Sequence, residues 1–154
     1  MRDRWWPHGG GKLSEDMAKA LQSHRQAAED KWPSIRSKTV FVESHIDNLS
    51  QLEQGWDGYD APRIEQWAIL DAKAFIRSIA AFLQVDPHVM PTNCGGLQLE
   101  WVVGDRELEV EFEAPSIIHY LKTNTVNGED EEEIINSNKQ WETAVNLVKW
   151  VQKG

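Results

Sequence analysis

One stretch of this chain alternates apolar and polar residues so regularly that it constrains the local fold. It reads L-Q-L-E-W-V-V-G-D-R-E-L-E-V-E-F. Period-2 alternation is typical of β-strands with one buried face, and the Gly104-Asp105 interruption is typical of a two-residue hairpin turn. The pattern therefore predicts two antiparallel strands, Leu97–Val103 and Arg106–Phe112. In this register the large apolar side chains share one face, and a slip of one residue would move them to the other.

The opposite face of this predicted hairpin is acidic. Pairing across the turn gives it Gln98, Glu100, Val102, Glu107, Glu109 and Glu111. Glu100 then lies directly opposite Glu109, and like charges in that position cost up to about 1 kcal/mol. A strand face that served only solubility would mix in Lys or Thr. We therefore interpret this row of carboxylates as a working surface.

Negative charge is concentrated in the same part of the chain. The net charge of the 154 residues is −9 at pH 7, yet residues 1–38 carry +3 and residues 39–154 carry −12. A local negative field repels nucleic acid and attracts basic protein surfaces or cations. We therefore expect a basic protein partner and no direct contact with nucleic acid. No motif in the chain indicates a cofactor.

The location of the protein follows from what its sequence lacks. No apolar run approaches the roughly 18 residues that a transmembrane helix needs, and the first residues have no apolar signal core. The single cysteine, Cys94, excludes an internal disulfide. We therefore expect a cytoplasmic protein that does not bind membranes.

Helical periodicity flanks the predicted hairpin on both sides. Residues 1–12 read as a flexible N-terminal arm and residues 13–154 as a single α+β domain. Its predicted elements are N-terminal helices, a three- to four-stranded antiparallel meander and a C-terminal helix. The first helix is predicted to end at Trp32-Pro33, the second to span 34–54, the third to start at Pro62 and the last to span 138–152 with Trp141 in the core. The acidic segment near 132–136 is either a short strand or a loop.

Two motifs resemble those of a family of small, mostly uncharacterised bacterial proteins. The first is the turn Gly55-Trp56-Asp57-Gly58. The second is P-T-N-C-G-G-L-Q-L-E-W followed by L-E-V-E-F, which is similar to the family's P-T-x-x-G-G-x-Q-L-E-W and its second strand of alternating Glu. The likeness covers residues 52–121. It implies the hairpin fold and no particular activity.

The Gly-Trp-Asp-Gly turn has a structural interpretation of its own. Gly55 and Gly58 permit positive φ angles, and the Asp57 side chain is suited to accept hydrogen bonds from nearby main-chain N–H groups. In a functional interpretation, Trp56 and Tyr59 would instead be exposed beside the acidic sheet as anchors for a partner.

Three functions are consistent with these features. The first is a small acidic protein-binding module, antitoxin-, immunity- or inhibitor-like, whose candidate contact residues are Gln98, Glu100, Glu107, Glu109, Glu111, Trp56 and Tyr59. The second is a metal-dependent enzyme whose candidate ligands are Glu100, Glu109, Glu111 and His119, because hard cations take oxygen ligands. The third is a structural subunit of an assembly held together by the Trp5-Trp6 arm.

Overall fold

The computed structural model describes residues 15–136 and 138–154, so the predicted arm at 1–12, with Trp5-Trp6, lies outside the described residues. The chain divides into two units, Met1–Ser34 and Ile35–Gly154. Helix α1 (Glu15–Leu49) begins in the first unit and ends in the second. None of the helices in the described ranges combines the length and the apolar character that crossing a bilayer requires.

The second unit has the predicted α+β architecture. After α1, its elements are α2 (Gln66–Ile79), β1 (His88–Pro91), β2 (Leu97–Val103), β3 (Arg106–Ala114), β4 (Ile117–Asn124), β5 (Glu129–Asn136) and α3 (Trp141–Val151). Within the described residues the meander has five strands and not the three or four predicted. The acidic segment is a full strand that pairs with β4 along its length, which decides between the predicted strand and loop.

The sheet is a simple antiparallel meander. Its strands lie side by side in chain order, from β1 at one edge to β5 at the other. The register between β2 and β3 is the predicted one, with Trp101 opposite Leu108 and Glu100 opposite Glu109. The alternation of apolar residues therefore determined this register, because one face of both strands must be buried.

The inner face of the sheet forms the hydrophobic core with the helices. Helices α2 and α3 pack against β2 and β3. Trp101 is 1% exposed, and its indole N–H donates a 2.9 Å hydrogen bond to the Val85 carbonyl oxygen. The Phe75 ring of α2 meets the Phe112 ring of β3 edge-on, with centroids 5.8 Å apart. The outer face is open within the second unit, where its residues Val102 and Ile134 are 59% and 64% exposed.

Several predictions about the helices are wrong. Helix α1 ends at Leu49 and not at 54, and α2 begins at Gln66 and not at Pro62, because Glu65 still has an extended backbone. Helix α1 continues through Pro33, where an end was predicted. Proline disfavours the α conformation of the preceding residue without forbidding it, so the rule gives a bias and not a boundary. Trp141 is 53% exposed, because it is the first residue of α3 and the buried stripe of that helix starts one turn later, at Ala144.

Candidate functional site

The outer face of the sheet carries the predicted row of carboxylates and extends it over two further strands. Residues directly opposite each other in a sheet share a face, so the registers define this surface. We call it the acidic face, and its acidic members are Glu100, Glu107, Glu109, Glu111, Glu113, Asp130 and Glu132. Its other members on β2, β4 and β5 include Gln98, Val102, His119, Leu121, Thr123 and Ile134. No Lys or Arg occupies an outward position of the five strands in the described part of the chain.

Two carboxylates face each other at the centre of the acidic face. Glu100 of β2 lies opposite Glu109 of β3, and Leu121 of β4 and Glu132 of β5 continue the same row. Side chains opposite each other in adjacent strands have Cβ atoms about 4.5–5.5 Å apart. The pairing therefore holds two like charges close together on a surface that packs against neither α2 nor α3.

A histidine lies among carboxylates at one end of the acidic face. His119 of β4 is opposite Glu111 of β3. Its Nε2 is 2.6 Å from Oε1 of Glu132, and its Nδ1 is 3.4 Å from Oε1 of Glu113. The imidazole thus lies between carboxylates that come from two different strands. Its side chain is 28% exposed, so water still reaches it.

Glu113 joins this group at a β-bulge in β3. The register of β3 against β4 shifts between Phe112 and Ala114, which leaves Glu113 without a directly opposed residue. Bulges redirect side chains and increase the local twist of a strand. One potential ligand atom from each of Glu111, Glu113 and His119 lies within 4.8 Å of the others.

The charge environment changes the protonation of Glu111. Partial burial raises the pKa of its carboxyl group above the usual value, and the nearby Glu113 and Glu109 carboxylates raise it further. His119 acts in the opposite direction and lowers this pKa. The effect of Glu113 is larger than the opposite effect of His119, so the negative charges around Glu111 are only partly compensated.

The candidate metal ligands predicted from sequence are therefore only partly brought together. His119 and Glu111 belong to the cluster, whereas Glu100 and Glu109 lie outside that group of three and Glu113 takes their place. Glu113 could have been predicted for this face, because it is two residues from Glu111 and alternate residues of a strand share a face. The contact with Glu132 depends on the register of β5, which the sequence did not determine.

The acidic residues of β5 divide between the two faces of the sheet. Asp130 and Glu132 lie on the acidic face, while Glu131 lies on the inner side. There the Glu131 carboxylate accepts a 2.7 Å hydrogen bond from the Tyr120 hydroxyl and forms a 3.0 Å ion pair with Lys122. The Tyr120 hydroxyl and, to a smaller extent, the Lys122 ammonium lower the pKa of the Glu131 carboxyl. Burial and the Glu131 carboxylate both raise the pKa of the Tyr120 hydroxyl.

The Gly-Trp-Asp-Gly turn has the predicted local structure. Gly55 and Gly58 have φ angles of 77° and 82°, which favour glycine. Asp57 Oδ1 accepts hydrogen bonds from the main-chain N–H groups of Tyr59, at 2.9 Å, and Ala61, at 3.2 Å. These contacts explain the turn by its own geometry.

The two predicted anchors of this turn differ in their surroundings. The Trp56 indole N–H donates a 3.1 Å hydrogen bond to the Pro62 carbonyl oxygen, so its polar atom is satisfied locally. Tyr59 is 89% exposed. Both residues lie in the connection between α1 and α2 and not on a strand of the sheet. A role for them in binding remains a prediction.

Comparison with known proteins gives no relative for this chain. No family model matches it, and neither a curated protein nor a solved structure does. The resemblance to the bacterial family therefore stays a prediction that depends on its two motifs.

Proposed function

We propose that the protein is a small binding module whose acidic face captures a basic surface of a partner protein. The observation that carries this proposal is the composition of that face: carboxylates on β2, β3 and β5, and no Lys or Arg at any outward strand position within the described residues. Such a surface suits an antitoxin-, immunity- or inhibitor-like role. In that role it would mask a basic groove that otherwise binds nucleic acid.

The rest of the second unit supports this interpretation by contrast. Between α1 and α2, carboxylates are matched by cations. Arg77 donates two hydrogen bonds to Glu43, at 3.1 and 2.6 Å, and Lys73 pairs with Asp47. In this part of the surface the acidic residues have cations of the same chain beside them. On the acidic face the matching cations are missing from the strands, and we propose that the partner supplies them.

The physical consequence is a fast and salt-dependent association. Dense charge of one sign increases the rate of encounter with an oppositely charged surface, and this effect weakens as ionic strength rises. Val102 and Ile134 are 59% and 64% exposed on the same face. They would contribute apolar contact area once the partner is bound. Tyr59 is proposed as a further contact at the rim.

A pull-down with matched variants tests the proposal. The bait is the tagged protein in native host lysate, with captured proteins identified by mass spectrometry. The test variant is Glu100→Gln/Glu109→Gln/Glu111→Gln. The control variant, Glu65→Gln/Asp86→Asn/Glu142→Gln, removes the same amount of charge from exposed residues outside the strands.

We expect a basic protein with the wild type and with the control variant, and its loss with the test variant. Circular dichroism checks that all three proteins are folded alike. Capture of the same proteins by all three baits would contradict the proposal. Equal loss with both variants would also contradict it, because it would show an effect of net charge alone.

A further inference from the structure

We propose that Glu111, Glu113 and His119 form a binding site for a divalent transition-metal ion, with zinc as the best-suited probe. The ligand atoms come from neighbouring strands and lie within 4.8 Å of one another. Metal–ligand distances of about 2.0–2.2 Å require donors closer than this, and small rotations of the two Glu side chains would provide them. This inference is independent of the proposed protein partner.

The contact between His119 and Glu132 argues for a metal because it occupies Nε2 and leaves Nδ1 toward the two other ligands. Glu132 stands outside the group of three, on β5, and its Oε1 is 2.6 Å from Nε2. At that distance Nε2 carries the proton and donates it to the carboxylate. Metal-binding histidines are oriented in the same way, since the second ring nitrogen donates to a carboxylate.

The other ring nitrogen lies beside a second carboxylate, because Glu113 Oε1 is 3.4 Å from Nδ1. Metal binding requires the neutral ring, in which Nε2 keeps its proton and Nδ1 has a lone pair. A metal ion bound by Nδ1, Glu113 and Glu111 would then take the place that a proton on Nδ1 holds in the doubly protonated ring.

The donor set selects the class of metal. Imidazole nitrogen with carboxylate oxygens suits zinc and its neighbours in the first transition series. Ca²⁺ and Mg²⁺ prefer sites made of oxygen ligands alone, and they gain little from His119. The site lies on the open side of the sheet, so water completes the coordination of the metal.

Isothermal titration calorimetry with ZnCl₂ tests this site in the full chain. The test variants are His119→Ala and Glu111→Gln/Glu113→Gln. The control is Glu107→Gln/Asp130→Asn, which removes two carboxylates from the same face. Glu107 is four residues from Glu111 along β3, about 13 Å away and beyond the Debye length of about 8 Å at physiological ionic strength.

We expect one zinc ion to bind to the wild type and to the control with affinities within about threefold of each other. Both test variants should weaken binding by at least about tenfold, and Glu132→Gln should weaken it by about 10- to 100-fold through the orientation of the imidazole. The ¹⁵N resonances of the His119 ring should show zinc at Nδ1 and a proton at Nε2.

Three results would overturn this inference. One is zinc binding that is equally tight in His119→Ala. Another is equal affinity for Mg²⁺ or Ca²⁺, which would show a nonspecific acidic surface. The last is a His119 ring that carries protons on both nitrogens and does not respond to zinc, which would identify the group as a salt bridge. None of these results bears on the capture of a basic partner.

Discussion

Removal of one charge from the centre of the acidic face should make the free protein more stable. We predict this for Glu109→Gln, because Glu109 faces Glu100 across the β2–β3 pair. A surface shaped by stability alone would not keep that pair. A gain in stability together with a loss of partner binding is therefore the result expected if these carboxylates are kept for binding.

The geometry gives the size of the effect. Opposite Cβ atoms are about 4.5–5.5 Å apart, and two unit charges about 6 Å apart in water repel by about 0.7 kcal/mol. Screening at 0.1 M salt, where the Debye length is about 10 Å, reduces this to about 0.4 kcal/mol. A change of 1 kcal/mol shifts Tm by roughly 2–4 °C in a protein of this size, so the expected gain is about 1–2 °C.

Glu107→Gln is the matched control. Glu107 lies on the same strand and face, but its opposite residues are Val102 and Thr123. Thermal unfolding followed by circular dichroism should show a larger gain for Glu109→Gln than for Glu107→Gln at low salt, and no difference at about 1 M NaCl. An equal gain in the two variants, or a loss for Glu109→Gln, would refute the reasoning.

Three further predictions concern the scaffold and are tested by unfolding experiments. Arg77 lowers the pKa of Glu43 in the folded protein. The ion pair therefore stabilises the fold at pH values above the pKa of Glu43 in the unfolded chain, and this stabilisation is lost as the pH falls through the lower pKa of the folded protein. Arg77→Gln should therefore cost about 0.5 kcal/mol at pH 7 and nothing in strong acid, and an equal cost at both would contradict this. A methyl group at Gly96 would overlap a main-chain carbonyl of β3, so Gly96→Ala should cost about 1–3 kcal/mol in urea unfolding, and a neutral result would contradict the tight packing. Tyr120→Phe removes the hydrogen bond to Glu131 and should cost about 1 kcal/mol, whereas no cost would show that water replaces it.

The hairpin at the centre of the sheet could be predicted from the sequence because two independent rules agree there. The Gly104-Asp105 turn fixes which residues pair, and the alternation of apolar residues requires the same register. The structure has that register along the whole of β2, which pairs with residues 106–112 of β3. The acidic face of these two strands, including the Glu100–Glu109 pair, followed without further information.

The surroundings of His119 could not be predicted because they depend on a different turn. A two-residue Asn127-Gly128 loop would place Glu132 opposite Thr123. In the structure the loop is two residues longer, since Asn124 pairs with Glu129, and Glu132 therefore lies opposite Leu121 and reaches His119. The Asn124 side chain accepts a 3.1 Å hydrogen bond from the Val126 N–H and so supports the wider turn.

The bulge in β3 and the length of α1 show the same limit. A bulge inserts one unpaired residue, and nothing in the alternation of β3 marks Glu113 as that residue. Proline disfavours the helical conformation of the residue before it, but this local preference does not prevent α1 from continuing through Pro33. Where only one local rule applies, packing in the rest of the fold determines the local structure.

The most direct test of the central proposal is the salt dependence of binding between the purified protein and its captured partner. Calorimetry between about 0.1 and 1 M NaCl covers a fall in the Debye length from about 10 to 3 Å. We predict that the affinity of the wild type falls steeply over this range, while the weaker affinity of Glu100→Gln/Glu109→Gln/Glu111→Gln changes little. An affinity that is indifferent to salt, and equal in the two proteins, would contradict capture by the acidic face.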